Sequence, residues 1–143
     1  MHGNRVELSV VVPAYNEERG IADTVRELRA LATKVPYKVE IVIVNDGSTD
    51  RTAAELDTVV HEPGNPVRVL HNAKNRGYGF SLKHGIHEAS YAIVVITDAD
   101  CTYPNDRIPE LVARVHAGAA MAVGARSLAS ASVPTIRKPA KWL

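Results

Sequence analysis

Little in this chain is aromatic, and almost nothing in it can cross-link. Phe, Trp and Tyr together make up 5% of the residues, too few for the stacking platforms that hold single-stranded nucleic acid. The single cysteine, Cys101, excludes an internal disulfide framework and suits a reducing compartment. Neither sign of charge prevails: 17 Lys and Arg stand against 16 Asp and Glu, a formal charge of +1. Without a global basic field, nucleic acid is not the expected partner. No apolar run approaches the ~20 residues of a membrane-crossing helix. Met1 to Glu7 also lacks the cationic-then-apolar build of a signal peptide. These absences predict a cytoplasmic chain, with peripheral contact at the cytoplasmic face of a membrane still allowed.

What is present is a core. Hydrophobic residues make up 45% of 143 positions, enough for one packed domain. Short apolar runs alternate with helical spacing. Leu8–Val12, Val39–Val44, Val67–Leu70, Ala92–Thr97 and Ala120–Gly124 read as five strands. Between them lies a helix over 17–33 with Ile21, Val25, Leu28 and Ala32 on one face. A second runs from an Asp50 cap to about Val60. A third follows Gly77 and Gly79 and carries Leu82, Ile86 and Ala89. A fourth is marked by Ile108, Leu111, Val112 and Val115. Continuous apolar strands separated by amphipathic helices predict an α/β fold. Its form is three layers, α/β/α, around a mostly parallel sheet. Ligands in such sheets bind beyond the carboxyl ends of the strands. Pro13–Glu17, Asn45–Asp50 and Asp98–Tyr103 all follow strands, so they should meet on one rim.

Asp98-Ala99-Asp100 puts two carboxylates just past a buried strand, where both can face one hard cation. Oxygen ligands favour Mg²⁺ or Mn²⁺, and Mg²⁺ commonly shares its shell with substrate phosphates. The plain alternative is a loop cap without metal. In Asn45-Asp46-Gly47-Ser48-Thr49-Asp50, Asp46 could accept hydrogen bonds from a base or ribose, with Gly47 permitting the turn. A turn with an Asp50 or Ser48 cap is the commoner use of such residues, and the two roles are compatible. Pro13-Ala14-Tyr15-Asn16-Glu17-Glu18 opens the first helix. There Tyr15 could pack on a base, while Glu18 need only complement the helix dipole. Asn75-Arg76-Gly77-Tyr78-Gly79 fits neither a Walker loop nor G-x-G-x-x-G, and offers either a phosphate or ribose contact or a tight turn. The six histidines show no metal-ligand spacing, and Cys101 is read as packing. Arg126, Arg137, Lys138 and Lys141 form a late basic group, equally a phosphate clamp or a solvated surface.

Four blocks occur in order: VVVPAYNEERGI, VIVNDGSTDRT, HNAKNRGYGFSLKHGI and VVITDADCTYP. Together they resemble the family 2 glycosyltransferases of the GT-A fold, over about residues 6 to 143. DADCTYPNDRIPELV, VGARS and IRKPAKWL are most similar to the polyprenyl-phosphate branch, the dolichol-phosphate mannose synthase type. The resemblance implies transfer of a sugar, with inversion, from a UDP- or GDP-linked donor to a lipid-phosphate or saccharide acceptor. It implies that Pro13, Ala14, Tyr15, Glu17 and Gly77 line the nucleotide-sugar pocket and that Asp46 reads the base. Asp98 then lies nearer the ribose and Asp100 is the direct metal ligand, while Arg126 and Arg137 serve the acceptor phosphate. Two departures stand out. Asn45-Asp46 occurs where the family often has Asp-Asp, and Thr102 occurs where some relatives have Gln.

On this reading residues 1–126 form the nucleotide-sugar-binding domain, and 127–143 begin an acceptor-side segment that is expected to be truncated. A general base, where the family uses one, would lie beyond Leu143; a polyprenyl phosphate is already anionic and needs none. The competing expectations are a non-catalytic nucleotide-sugar-binding fragment and a nucleotidyltransferase. A dinucleotide-dependent dehydrogenase is disfavoured by the missing glycine fingerprint.

Overall fold

In the computed structural model, residues 5–61 and 63–125 are described. Strands β1 (Glu7–Ala14), β2 (Lys38–Asp46), β3 (Val67–Asn72) and β4 (Ile93–Ile96) alternate with helices α1 (Ile21–Lys34), α2 (Thr52–Val60) and α3 (Tyr78–Glu88). A 3-10 turn, Asn105–Arg107, leads into α4 (Ile108–His116). The strands form one parallel sheet in the order β3-β2-β1-β4. β1 is therefore central, and the loops leaving β1, β2 and β4 are neighbours.

The two faces of the sheet are covered differently. Leu8, Val10, Val12 and Ala14 of β1 join Ile21, Val25 and Leu28 of α1, Leu56 and Val59 of α2, and Ile108 and Val112 of α4 in one core. Burying each of the larger side chains is worth roughly 2 kcal/mol relative to exposure. This fixes α1 on the sheet through the expected stripe. The opposite face of β1 and β2 meets α3 at Gly85. A Cβ there would come within 2.4 Å of Val11 Cγ1 and 3.0 Å of Val44 Cγ2. The three-layer α/β/α arrangement is therefore observed.

Four expectations are corrected. Ala120–Gly124 does not form a strand: residues 121–125 have no regular structure, and Met121 and Val123 are 78% and 73% exposed. Among the described residues no strand lies beside them to take up their backbone groups. α1 begins at Ile21 rather than 17: residues 18–20 form a turn in which Glu17 O accepts from both Gly20 N and Ile21 N at 3.0 Å, and the regular helix follows it. α3 buries Ser81 and Gly85, not Ile86, which is 43% exposed. Its contact face is set by how closely the backbone can approach, so the small residues lie inward. Pro13 does not end β1. Val11 O accepts from Thr97 N, so Pro13, two residues on, turns its missing N–H toward the same side, where pairing with β4 has already ended. Among the described residues, no helix is long and apolar enough to cross a membrane.

Candidate functional site

The loops after β1 and β2 are stitched together by side chain to main chain bonds. Asn16 sits at φ 51°, a conformation Asn tolerates better than most residues. Its Oδ1 accepts from Thr49 N at 2.8 Å and Asp50 N at 3.4 Å, and its own amide donates to Ser48 Oγ at 3.0 Å. Glu17 N donates to Thr52 Oγ1 at 2.8 Å, and Arg51 N donates to Glu18 Oε2 at 3.0 Å. Asp50 accepts from Thr52 N at 2.9 Å and from Glu18 N at 3.3 Å and so ties two loops; it is not the cap expected of it, because Arg51 holds the N-cap position of α2 without a side-chain cap bond. Partial burial alone would raise the Asp50 carboxyl, but the donors from Thr52 and Glu18 outweigh it and hold it below its usual value.

Behind this rim, β2 ends in two buried polar residues. Asn45, 4% exposed, accepts from Ser48 N at 3.3 Å and lies 3.2 Å from His71 Nδ1. Asn thus supplies at this position what the local turn needs. Asp46 has no exposed surface. Its carboxylate accepts from Asn72 Nδ2 at 2.6 Å, Arg76 N at 3.0 Å and Gly77 N at 2.9 Å. Gly47, at φ 65°, lets the loop after β3 cross directly over it; a Cβ would lie 2.4 Å from the Lys74 carbonyl carbon.

The turn after β4 is open by contrast. Asp98 is half-buried and Asp100 exposed. Asp100 Oδ1 accepts from Thr102 N at 3.1 Å and Thr102 Oγ1 at 2.7 Å. Tyr78 donates its hydroxyl to Asp98 Oδ1 at 3.4 Å. Burial first, then the Asp98 carboxylate and Tyr103, push the Tyr78 hydroxyl up to about 12, so it stays a proton donor at neutral pH. Cys101 is exposed rather than packed, at φ 59°, with Sγ 3.1 Å from Thr24 Oγ1.

The carboxylates at 98 and 100 are hard oxygen donors on an accessible turn, which suits Mg²⁺ or Mn²⁺. Among the described residues no group of three or more His, Cys, Asp and Glu could hold a metal. A cation at this turn would therefore need water or ligand phosphates for the rest of its shell, as Mg²⁺ commonly does.

Of the residues expected at the site, Pro13, Tyr15, Glu17, Asp46, Gly77, Asp98 and Asp100 all lie on or just under this edge. Ala14 has no exposed surface, main chain included, and Pro13 is buried, so neither is placed to touch a ligand and both serve as core beneath the edge. Arg126 and Arg137 lie outside the described residues. Sequence reasoning missed Gly20 and Asn105, and it had Tyr78 only as part of the Asn75–Gly79 loop, without its contact to Asp98. A Cβ on Gly20 would come within 3.0 Å of Ala99 O, so the start of α1 lies directly against the Asp98–Asp100 turn. Asn105, 2% exposed, accepts from Thr97 Oγ1 at 2.7 Å and donates to Glu27 at 3.1 Å, bracing the turn from below. A tyrosine between two glycines was the one available signal, for Tyr78.

The family model for glycosyl transferase family 2 matches residues 9–142. The chain belongs to that family. Bactoprenol glucosyl transferase of Shigella phage SfV is 36% identical over 138 residues, covering 96% of this chain and 44% of the relative. Dolichol-phosphate mannosyltransferase of Saccharomyces cerevisiae is 32% identical over 112 residues, 78% of this chain and 42% of the relative. Among solved structures, a mannosyltransferase of Pyrobaculum calidifontis in complex with GDP-Man and Mn²⁺ superposes with a TM-score of 0.61 at 30% identity. That match covers 76% of this chain and 32% of the other. The family 2 chain thus spans less than half the length of these relatives.

Proposed function

We propose that this chain binds a nucleoside-diphosphate sugar and serves transfer of the sugar to a polyprenyl phosphate. The observation that carries the reading is the exposed Asp98–Asp100 turn beside the closed β1–β2 rim. It offers two carboxylates to a cation at the edge where parallel α/β sheets bind ligands. The names of the relatives support the acceptor class, and the GDP-Man and Mn²⁺ of the solved neighbour support the donor class and a divalent ion.

Asp100 and Asp98 would hold Mg²⁺ or Mn²⁺. When bound, the ion supplies positive charge to a leaving diphosphate. The chain's own residues do the remaining work. Tyr78 orients Asp98, Thr102 orients Asp100, and Gly20 lets the start of α1 close against the turn. Tyr15 and Glu17 would face the nucleotide, with Pro13 and Ala14 packed beneath them. The reaction would invert the anomeric centre, with the acceptor phosphate needing no strong base. Arg126 and Arg137 would meet that phosphate.

A competing reading is a donor-binding unit without turnover of its own. A nucleotidyltransferase would instead release pyrophosphate from a nucleoside triphosphate.

Calorimetric titration with UDP and GDP, each with Mn²⁺ and with EDTA, tests the donor site. One nucleoside diphosphate should bind with Mn²⁺ and not with EDTA, and Asp100→Ala should abolish that difference. Equal affinity in wild type and Asp100→Ala, with and without metal, would rule out the metal role. Release of nucleoside diphosphate from a sugar donor in the presence of a polyprenyl phosphate separates an enzyme from a binding unit.

A further inference from the structure

Asp46 has no exposed surface, yet a residue that reads a base needs an oxygen facing the ligand. Its three donors occupy it instead, and two of them are successive main-chain amides of the loop after β3. The third, Asn72 Nδ2, also lies 3.3 Å from Ser81 Oγ. With its amide nitrogen so engaged, Asn72 presents Oδ1 to His84, whose Nδ1 is 2.9 Å away and must be the donor. The result is a line from α3 through β3 to the loop: His84, Asn72, Asp46, then the amides of Arg76 and Gly77. The residue after Gly77 is Tyr78, whose hydroxyl reaches Asp98. Gly47 adds an independent constraint, since the same loop lies against its α-carbon.

We propose that Asp46 is a positioning residue of the donor site: with Asn72 and His84 it fixes the main chain at Arg76–Gly77 and so holds Tyr78 on Asp98. The inference rests on the donor-site reading above and assigns Asp46 a task other than base recognition. Charge-assisted bonds to main-chain amides are among the stronger ones available to a buried carboxylate. Asparagine has the same size but an NH₂ on one arm, which would have to face Asn72 Nδ2 or the loop amides. Asp46→Asn therefore loses at least one of these bonds whichever way it turns. His84→Ala breaks the far end of the line from a half-buried position on α3, where the risk to folding is smaller.

The test uses the whole chain and two readouts, amide hydrogen exchange at Arg76 and Gly77 and the dissociation constants for UDP and GDP with Mn²⁺. Asp46→Asn should speed exchange at both amides by about 10-fold or more, as loss of a buried acceptor opens the loop. It should weaken both nucleotides by a similar factor and leave their affinity ratio as in wild type. His84→Ala should do the same by about 3-fold, and keeps the test decisive if Asp46→Asn does not fold. A changed UDP-to-GDP ratio with wild-type exchange at Arg76 and Gly77 would make Asp46 a base-reading residue and overturn the proposal. Wild-type exchange in both variants would overturn it too. Wild-type chain that binds neither nucleotide would sink the donor-site reading, and the exchange arm would still decide whether Asp46 holds the loop.

Discussion

The edge of the sheet where this chain would bind its ligand is built in two ways. The loops after β1 and β2 are locked by bonds that cross more than thirty residues of sequence, from Asn16, Glu18, Asp50 and Thr52. The turn after β4 has its two carboxylates restrained by neighbours, Tyr78 and Thr102, on a surface that stays accessible. The first region stores stability, and the second, on the proposed reading, would offer its carboxylates to a ligand. This division is what a site with a mobile, charged substrate requires, because a frame must hold still while oxygen ligands exchange water for phosphate. It predicts that substitutions in the two regions separate into those that cost folding and those that cost binding.

The sharpest break should come at Gly47. Gly47→Ala would put a Cβ 2.4 Å from the Lys74 carbonyl carbon at φ 65°, and strain plus overpacking should cost about 3 kcal/mol or more of stability. A urea melt followed by circular dichroism reads this directly. An unchanged midpoint would mean the loop after β3 is free to lift.

Asn16→Ala should come next. It removes the acceptor of the Thr49 and Asp50 amides and leaves Ala at φ 51°. We expect a loss of about 2 kcal/mol, with the nucleotide dissociation constant following only through the folded fraction. Asp100→Ala is the counterpart on the open turn. It should change stability by less than about 0.5 kcal/mol while removing metal-dependent nucleotide binding. If Asp100→Ala unfolds the chain, or Asn16→Ala leaves the melt unmoved, the division between frame and ligand turn is wrong.

Much of this arrangement was legible in the sequence, and the parts that were not share a cause. The alternation of apolar runs and helical stripes located β1 to β4 and put three polar loops on one rim, whereas the order β3-β2-β1-β4 came only with the fold. Local motifs carried their own positions: Asp98-Ala99-Asp100 announced itself by spacing. Contacts between loops did not. Nothing in Asn16 names Thr49, and nothing in Asp46 names Gly77, because these bonds join segments that only the folded sheet brings together. Contact by absence was equally silent. Gly85 is the point at which α3 meets Val11 and Val44, but a residue without a side chain leaves no mark in an apolar periodicity. That is why the sequence marked this helix by Leu82, Ile86 and Ala89 and not by Gly85. The Ala120–Gly124 run failed for the converse reason, since its composition suits a strand but no described neighbour pairs with it.

The smallest effect concerns acid, and it tests the frame through one carboxylate. Asp50 is held below its usual value in the fold because the Thr52 hydroxyl and amide and the Glu18 amide favour its charged form more than partial burial opposes it. A carboxyl whose value is depressed on folding adds stability above its unfolded value, and that share is lost as pH falls through the folded one. The loss should therefore fall below about pH 4, the ordinary aspartate range. Glu40 behaves likewise at the other end of the strands. Burial opposes its charge, and donors from Ser9 and Ser90 together with Arg68 prevail. Asp50→Asn should thus be less stable than wild type at neutral pH, with the difference shrinking as the solution is acidified. The Glu40 contribution should remain in both proteins and leave a common residual slope. Denaturant midpoints measured from neutral pH down to pH 3 decide the matter. Parallel curves for the two proteins would show that Asp50 gains nothing from its charge, and that the β1–β2 frame is held by Asn16 and the hydroxyls alone.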